Sequence, residues 1–227
     1  MKKMFTNLKS ALTSTLIGTC LLGISPSLAK KVEYYTMGAT GCMILRECID
    51  NVRQIKSIDD IRKEFPDSDF DIIADEFNSM LVSLNKIGVM VFLGPEKYFP
   101  PGHRGIYHTV SNNFYLNDAF VHRPNTLMIV MRHEGWHAAQ DCMAGTIDNS
   151  LIALIHPEEM VPQIWRDIVE KSYPKSAVPF ESEAKWAGRT EGMTAKALDA
   201  CTTGKMWEVY KPTPLTEKWL REEGFIK

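Results

Sequence analysis

The segment DSDFDIIADEFNSMLVSLNKIG (67–88) carries apolar residues at Ile72, Ile73, Phe77, Met80, Leu81 and Leu84. Steps of three and four put these on one face of a helix, and Gly88 is a natural stop. VMVFL (89–93) follows as an unbroken apolar run of strand length ended by Gly94-Pro95, which predicts a short buried strand. The prolines and glycines of EKYFPPGHRG (96–105) predict a loop. Beyond it, IYHTV and FYLN flank Ser111-Asn112-Asn113. Two β-rich arms around residues that tolerate turn geometry predict a hairpin over 105–118.

Helical spacing then dominates. TLMIVMRHEGWHAAQDCMAG predicts a long helix with Asn125 as its N-cap and Gly145 as its terminator. A second helix is expected from Pro157 towards Ser172, with Pro162 as a dividing point, and a third from about Pro179 to Cys201. The tail reads as an extended crossing at KPTP and a short helix at EKWLREEG. No internal repeat, low-complexity tract or long linker interrupts the pattern. The expected fold is α+β, mostly helical, with a small antiparallel sheet before the helix that carries HEGWH.

The first residues change the picture of where that domain works. MKKMFTNLKS is basic without an acid, ALTSTLIGTCLLGIS is apolar but short, and Ser27-Leu28-Ala29 is a small-x-small site. This predicts a signal peptide over 1–29, cleaved after Ala29, with an uncleaved anchor as the alternative. Cleavage leaves 198 of the 227 residues as a single domain, 30–227, and moves the formal charge from −2 to about −5. A mildly acidic chain without basic clusters is a poor partner for nucleic acid. No other apolar stretch approaches the roughly 20 residues of a spanning helix, so no stable membrane insertion is expected after cleavage. The expected location is exported, periplasmic or secreted. There Cys42, Cys48, Cys142 and Cys201 read as two disulfides. The favoured pairing is Cys42–Cys48 as a local loop and Cys142–Cys201 between two helices, with free buried thiols as the alternative.

The candidate chemistry lies in HEGWHAAQDCMAG, residues 133–145. Residues four apart share a helix face, so His133 and His137 can direct imidazole nitrogens to one point about 2 Å from each, as zinc requires. Glu134, one position round, can reach a water on that ion and take its proton, which is the chemistry of zinc-dependent hydrolysis. The competing reading is a core helix in which Trp136 and the aliphatics of TLMIVM set the packing and hydrogen bonds satisfy the histidines. Burying two imidazoles and a carboxylate without compensation is costly. Gly135, unfavourable inside a helix, suggests a close approach at that point.

The segment resembles the active-site helix of the thermolysin-type gluzincins, zinc peptidases whose run is H-E-x-x-H-A-x-x-D-x-x-A-G. This chain has His133, Glu134, His137, Ala138, Asp141, Ala144 and Gly145 at the matching places. The resemblance implies His133 and His137 as zinc ligands, Glu134 as general base and Asp141 as a supporting acid. It also implies a third ligand from a later helix in a pattern similar to E-x-x-(A/S)-(D/N). Glu181 with Ala184 fits, although Lys185 departs from the last position. Glu181 shares a face with Ala184 and Gly188, small residues that allow close helix packing, so Glu181 is preferred and Glu183 is the alternative. The 44 residues from His137 to Glu181 exceed the spacing of thermolysin itself, and the chain is far shorter, which suits small gluzincin-like proteins better. Gln140 and Met143 stand where a metzincin has glycine and its third histidine.

Tyr107, His108 and His156 are candidate oxyanion stabilisers, and Tyr98, Phe99 and Phe114 could line a pocket or simply fill the core. The expectation is an exported zinc hydrolase, a peptidase acting on a peptide or protein held against the edge strand. The alternative is a non-catalytic exported binding protein on a zincin scaffold, with structural zinc or none. It predicts a closed metal site or a cleft filled by residues 146–178. The sequence does not specify an oligomeric state.

Overall fold

The computed structural model describes residues 36–227; the expected signal peptide and Cys20 lie outside them. Thr36 caps α1 (Met37–Ile44), which leads to the two-residue strand β1 (Arg53–Gln54). A reciprocal cap between Ser57 and Asp60 starts α2 (Ile58–Arg62). The expected helix over 67–88 begins later than its apolar pattern, with one 3₁₀ turn at Asp71–Ile73 and then α3 (Ala74–Lys86). Gly88 closes it at φ +89°, a conformation that favours glycine. Strand β2 (Met90–Gly94), β3 (Gly105–His108) and β4 (Asn113–Asn117) follow, and Asn112 takes the positive φ in the hairpin turn.

The sheet is mixed, which corrects the expectation of an antiparallel one. Its order is β1-β2-β4-β3, with β3 antiparallel to β4 but β2 parallel to β4. The reason lies in burial. Val91 and Leu93 of β2 and Phe114 and Leu116 of β4 join the main core on one face. Phe92 and Tyr115 join a smaller cluster with Met43, Tyr98 and Phe99 on the other face. Strands buried on both faces read as continuous apolar runs and sit at the centre of a sheet. The hairpin arm β3 is left at the edge.

After a single turn, α4 (Asp118–Val121), comes α5 (Pro124–Met143), which carries HEGWH. It starts at Pro124 rather than being capped by Asn125, because proline at the first helical position is already fixed at a helical φ. Leu127, Met128, Val130, Met131 and Trp136 are buried, so the helix is a core element along its whole length. Gly145 ends its last turn at φ +120°, with Phe225 where a side chain would be.

The expected helix over 157–172 is one 3₁₀ turn and α6 (Gln163–Val169), divided at Pro162. The expected helix over 179–201 is two, α7 (Val178–Gly188) and α8 (Met193–Thr202). Gly192 at φ +74° makes the corner between them. A short α9 (Met206–Val209) and α10 (Pro214–Glu222) complete the chain, with the extended crossing where KPTP predicts it.

Around α5, α7 packs on one side, α8 and α3 on another, and β3 along a third. Disulfides join Cys42 to Cys48 and Cys142 to Cys201, at Cα separations of 5.1 and 6.0 Å. The second ties the last turn of α5 to α8 across 59 residues. Two disulfides suit an oxidising, exported location, and no helix among the described residues is long and apolar enough to cross a membrane.

Closing a loop of that length is worth about 4 kcal/mol in the chain-entropy account. The paired change Cys142→Ala/Cys201→Ala is therefore expected to lower unfolding stability by about 2–4 kcal/mol. Urea unfolding of the two proteins checks this, and an unchanged midpoint contradicts it.

Candidate metal centre

The elements around α5 bring its two histidines to a carboxylate. Gly188 is a point of close approach between α7 and α5. A Cβ there would lie 3.0 Å from the Ile129 carbonyl oxygen and 3.3 Å from His133 Cβ. Ala184 on the same face is fully buried. The small residues let α7 settle against α5 beside His133. Glu181 then reaches both rings, with Oε2 3.3 Å from His133 Nε2 and Oε1 3.6 Å from His137 Nε2.

Three such donors fit a single cation. Ligands about 2.0–2.1 Å from a shared ion stand about 3.3 Å apart at the tetrahedral angle. One donor atom from each of His133, His137 and Glu181 lies within 4.8 Å of the others. Two imidazoles and a carboxylate suit several first-row divalent ions. The Glu181 carboxyl is held well below its usual range because, although burial opposes ionisation, both histidines hydrogen-bond it. Burial disfavours the charged His137 ring as well, but Glu181, Glu134 and Gln140 outweigh it and push its pKa up to about 9.

His137 is oriented from behind. Its Nδ1 lies 2.8 Å from Gln140 Oε1. An amide oxygen only accepts, so Nδ1 carries the proton and, in the neutral ring, Nε2 is free to ligate. Gln140 is itself fixed, donating from Nε2 to Glu183 Oε2 at 2.7 Å and to the Phe180 carbonyl at 3.2 Å. Glu183 is fully buried and also accepts from the backbone N–H groups of Ile155 and His156 at 3.3 and 2.5 Å. It is neither the third donor nor a solvated carboxylate. It anchors the 150–156 loop and Gln140, and burial raises its pKa despite these hydrogen bonds.

Glu134 stands beside the three donors. It is 8% exposed, and its Oε2 accepts from the Tyr107 N–H of β3 at 2.9 Å. Gly105 makes room for it, since a Cβ there would come within 2.6 Å of Val130 Cγ1 and 2.8 Å of Glu134 Cγ. Gly135 answers a different contact, the approach of Met80 on α3 and Thr194 on α8. Asp141 supports the structure from the helix end. Its Oδ2 accepts from the Tyr107 hydroxyl at 2.8 Å, and burial pushes its pKa up to about 7.

A cleft of about 700 Å³ opens alongside, walled by Gly105, Val130, His133, Glu134, Tyr173 and Lys185 among others. The 146–178 segment contributes Ser172, Tyr173 and Pro174 to that wall and leaves the cleft open. A second recess, at His137 and Glu181, lies towards the far end of β3, with Tyr107 and Thr109 in its lining.

None of the three expected oxyanion candidates faces the larger cleft. The Tyr107 hydroxyl is engaged by Asp141, and His108 Nδ1 meets Ser111 Oγ at 2.8 Å within the hairpin. His156 is stacked against Trp136 with Trp186 and Tyr210 around it. Tyr98, Phe99 and Phe114 belong to the core. The group the sequence reading missed is Tyr173. Its phenol lies within reach of Glu181, and burial and the carboxylates of Glu181 and Glu134 push its pKa up to about 12. A single tyrosine in the turn between α6 and α7 leaves no periodic signal. Comparison with protein-family models, curated proteins and solved structures finds no match to this chain.

The charged His137–Glu181 pair gives the metal-free protein a specific pH dependence. A ring whose pKa rises from 6.5 to about 9 on folding stabilises fully below 6.5, and that contribution fades as pH climbs through 9. Chelator-treated protein is expected to lose urea resistance across that interval, by at most about 1.4 kcal/mol per pH unit. His137→Gln flattens the slope; a flat wild-type profile contradicts it. Gln140→Ala is expected to weaken zinc affinity by about 10–100-fold at unchanged stoichiometry, measured by competition with a chromogenic chelator.

Proposed function

We propose that the protein is an exported zinc-dependent hydrolase acting on peptides, built in the zincin manner from an edge strand, an HExxH helix and a later glutamate helix. The observation that carries this is that Glu134 lines the same open cleft as His133, which with His137 and Glu181 forms a set of donors within 4.8 Å of one another. A structural metal site needs neither a further carboxylate beside a ligand nor an open cleft at it. Both features suit catalysis.

His133, His137 and Glu181 would hold the ion, leaving one position for water. Zinc bound there supplies Lewis acidity, bringing the pKa of that water towards 7. Glu134 removes a proton from the water and returns it to the leaving amine. The Tyr107 N–H fixes the carboxylate while it does so, sharing Oε2 and leaving Oε1 as the working oxygen. Gln140 keeps the His137 ring in register through the proton transfer. Tyr173 is protonated throughout the working pH range and lines the same cleft, so its hydroxyl can donate to the oxygen on which negative charge develops.

The test couples metal content to turnover. Mature protein purified without a histidine tag or chelator should carry close to one zinc per chain by plasma mass spectrometry and cleave members of a peptide library. Glu134→Gln should retain the zinc and lose at least about 10²-fold in kcat. Tyr173→Phe should lose about 10²-fold in kcat with KM little changed. Full turnover in Glu134→Gln, or no tightly held metal after zinc is offered back, would overturn the reading.

A further inference from the structure

The cleft beside Glu134 carries a charge pattern that the hydrolytic chemistry does not use. Its lining includes Arg104 from the turn entering β3, and Lys185 and Arg189 from the end of α7. Among the described residues, the ion pairs formed elsewhere involve Arg53, Arg62, Lys63, Arg132, Lys218 and Arg221, and none involves these three cations. The acid in the same lining, Glu134, accepts from the Tyr107 N–H, and Glu181, in the neighbouring recess, faces the two histidines. Glu191, close by in sequence, lines a separate groove with Glu76, Arg132 and Arg189.

Both arginines of the cleft rest on aromatic rings. The Arg104 guanidinium lies 5.2 Å over the Phe120 ring and that of Arg189 5.9 Å from the Trp165 ring centroid, contacts that fix a guanidinium without neutralising it. Lys185 is half-buried, while both arginines are exposed. Burial and the charges of Arg189 and Arg104 hold its ammonium below the usual lysine range. Three cations against the single carboxylate of Glu134 leave this lining net positive in a chain whose net charge is negative, and the repulsion among them is eased when an anion enters. Such a focused positive field also concentrates anionic ligands at the cleft.

We propose that this end of the cleft is a carboxylate-recognition subsite, selecting peptides that present an acidic group a few residues from the bond to be cut. The inference rests on the hydrolase reading for its consequence but not for the binding itself. A carboxylate entering here meets two guanidinium forks and an ammonium, and charge-assisted bonds of this kind are the strong ones. Lys185 occupies the position at which the gluzincin pattern has an acid or amide, so the same departure that weakens the resemblance supplies the central charge. The carboxylate can come from an Asp or Glu side chain or from the free C-terminus of a short peptide.

Matched fluorogenic peptides separate the two sources: Glu against Gln at each position flanking the cut, and a free C-terminal carboxylate against the amide. With zinc-loaded protein, kcat/KM should favour one carboxylate series by at least about tenfold. The ratio should fall towards one in Lys185→Gln/Arg189→Gln. Arg104→Gln, on a different element, provides an independent reading if the α7 variant does not fold. The same fluorescein-labelled pairs are then bound to Glu134→Gln protein and followed by polarisation in rising sodium chloride. There the carboxylate preference should persist and shrink with salt. Cleavage of all peptides without charge preference overturns the subsite and leaves the hydrolase intact. Carboxylate-selective binding without any cleavage keeps the subsite and removes the hydrolase. Neither cleavage nor selective binding removes both.

Discussion

Gly188 rests against the Ile129 carbonyl and the Cβ of His133 at a separation that leaves no room for a side chain. The rest of the site depends on that contact. It sets the distance between α5 and α7, and the distance decides whether Glu181 reaches two imidazoles or only one. An added methyl at residue 188 would meet backbone rather than a movable side chain. The helices would have to part by tenths of an ångström, at a place where the spacing of donor atoms is the chemistry. Packing and function are set here by the same atoms.

A polar chain runs beneath this contact, from the 150–156 loop through Glu183 and Gln140 to His137. Burying a carboxylate is expensive unless every lone pair is used, and Glu183 accepts from an amide side chain and two backbone donors. The outcome is a rigid link between an irregular loop and the orientation of one ring. The Cys142–Cys201 disulfide locks the same end of α5 to α8. The histidines therefore project from a helix restrained by α7, α8 and the sheet together.

Local features of this arrangement were legible in the sequence, and long-range ones were not. Histidines four apart must share a helix face, so HEGWH announced itself without any knowledge of its neighbours. Glu181 and Glu183 sit on nearly opposite sides of their helix, and the choice between them turned on which side carries Ala184 and Gly188. The parallel pairing of β2 and β4 was invisible because it joins two strands through a third that lies beyond them, and neither strand's own pattern records direction. RTEG at 189–192 has no strong breaker beyond one glycine, so the corner between α7 and α8 read as continuous helix. Gln140 was noticed only for the family it excludes, since a side chain's second hydrogen bond depends on a partner 43 residues away. Tyr173 gave no signal at all: it belongs to a turn, and its neighbours at the site come from two other helices.

Strand β3 is the free edge of the sheet, and an edge strand ordinarily offers an incoming chain an unbroken row of backbone donors and acceptors. Here one donor in that row, the Tyr107 N–H, is committed to Glu134. A visitor laid along β3 finds a missing rung beside the base, so backbone pairing alone gives it a weak and interrupted grip. Affinity must then come from what the side chains offer on either side. A proteolytic enzyme with a continuous edge reads any extended chain. On the proposed peptidase reading this gap favours discrimination, and a loose polypeptide is not a substrate merely by being extended.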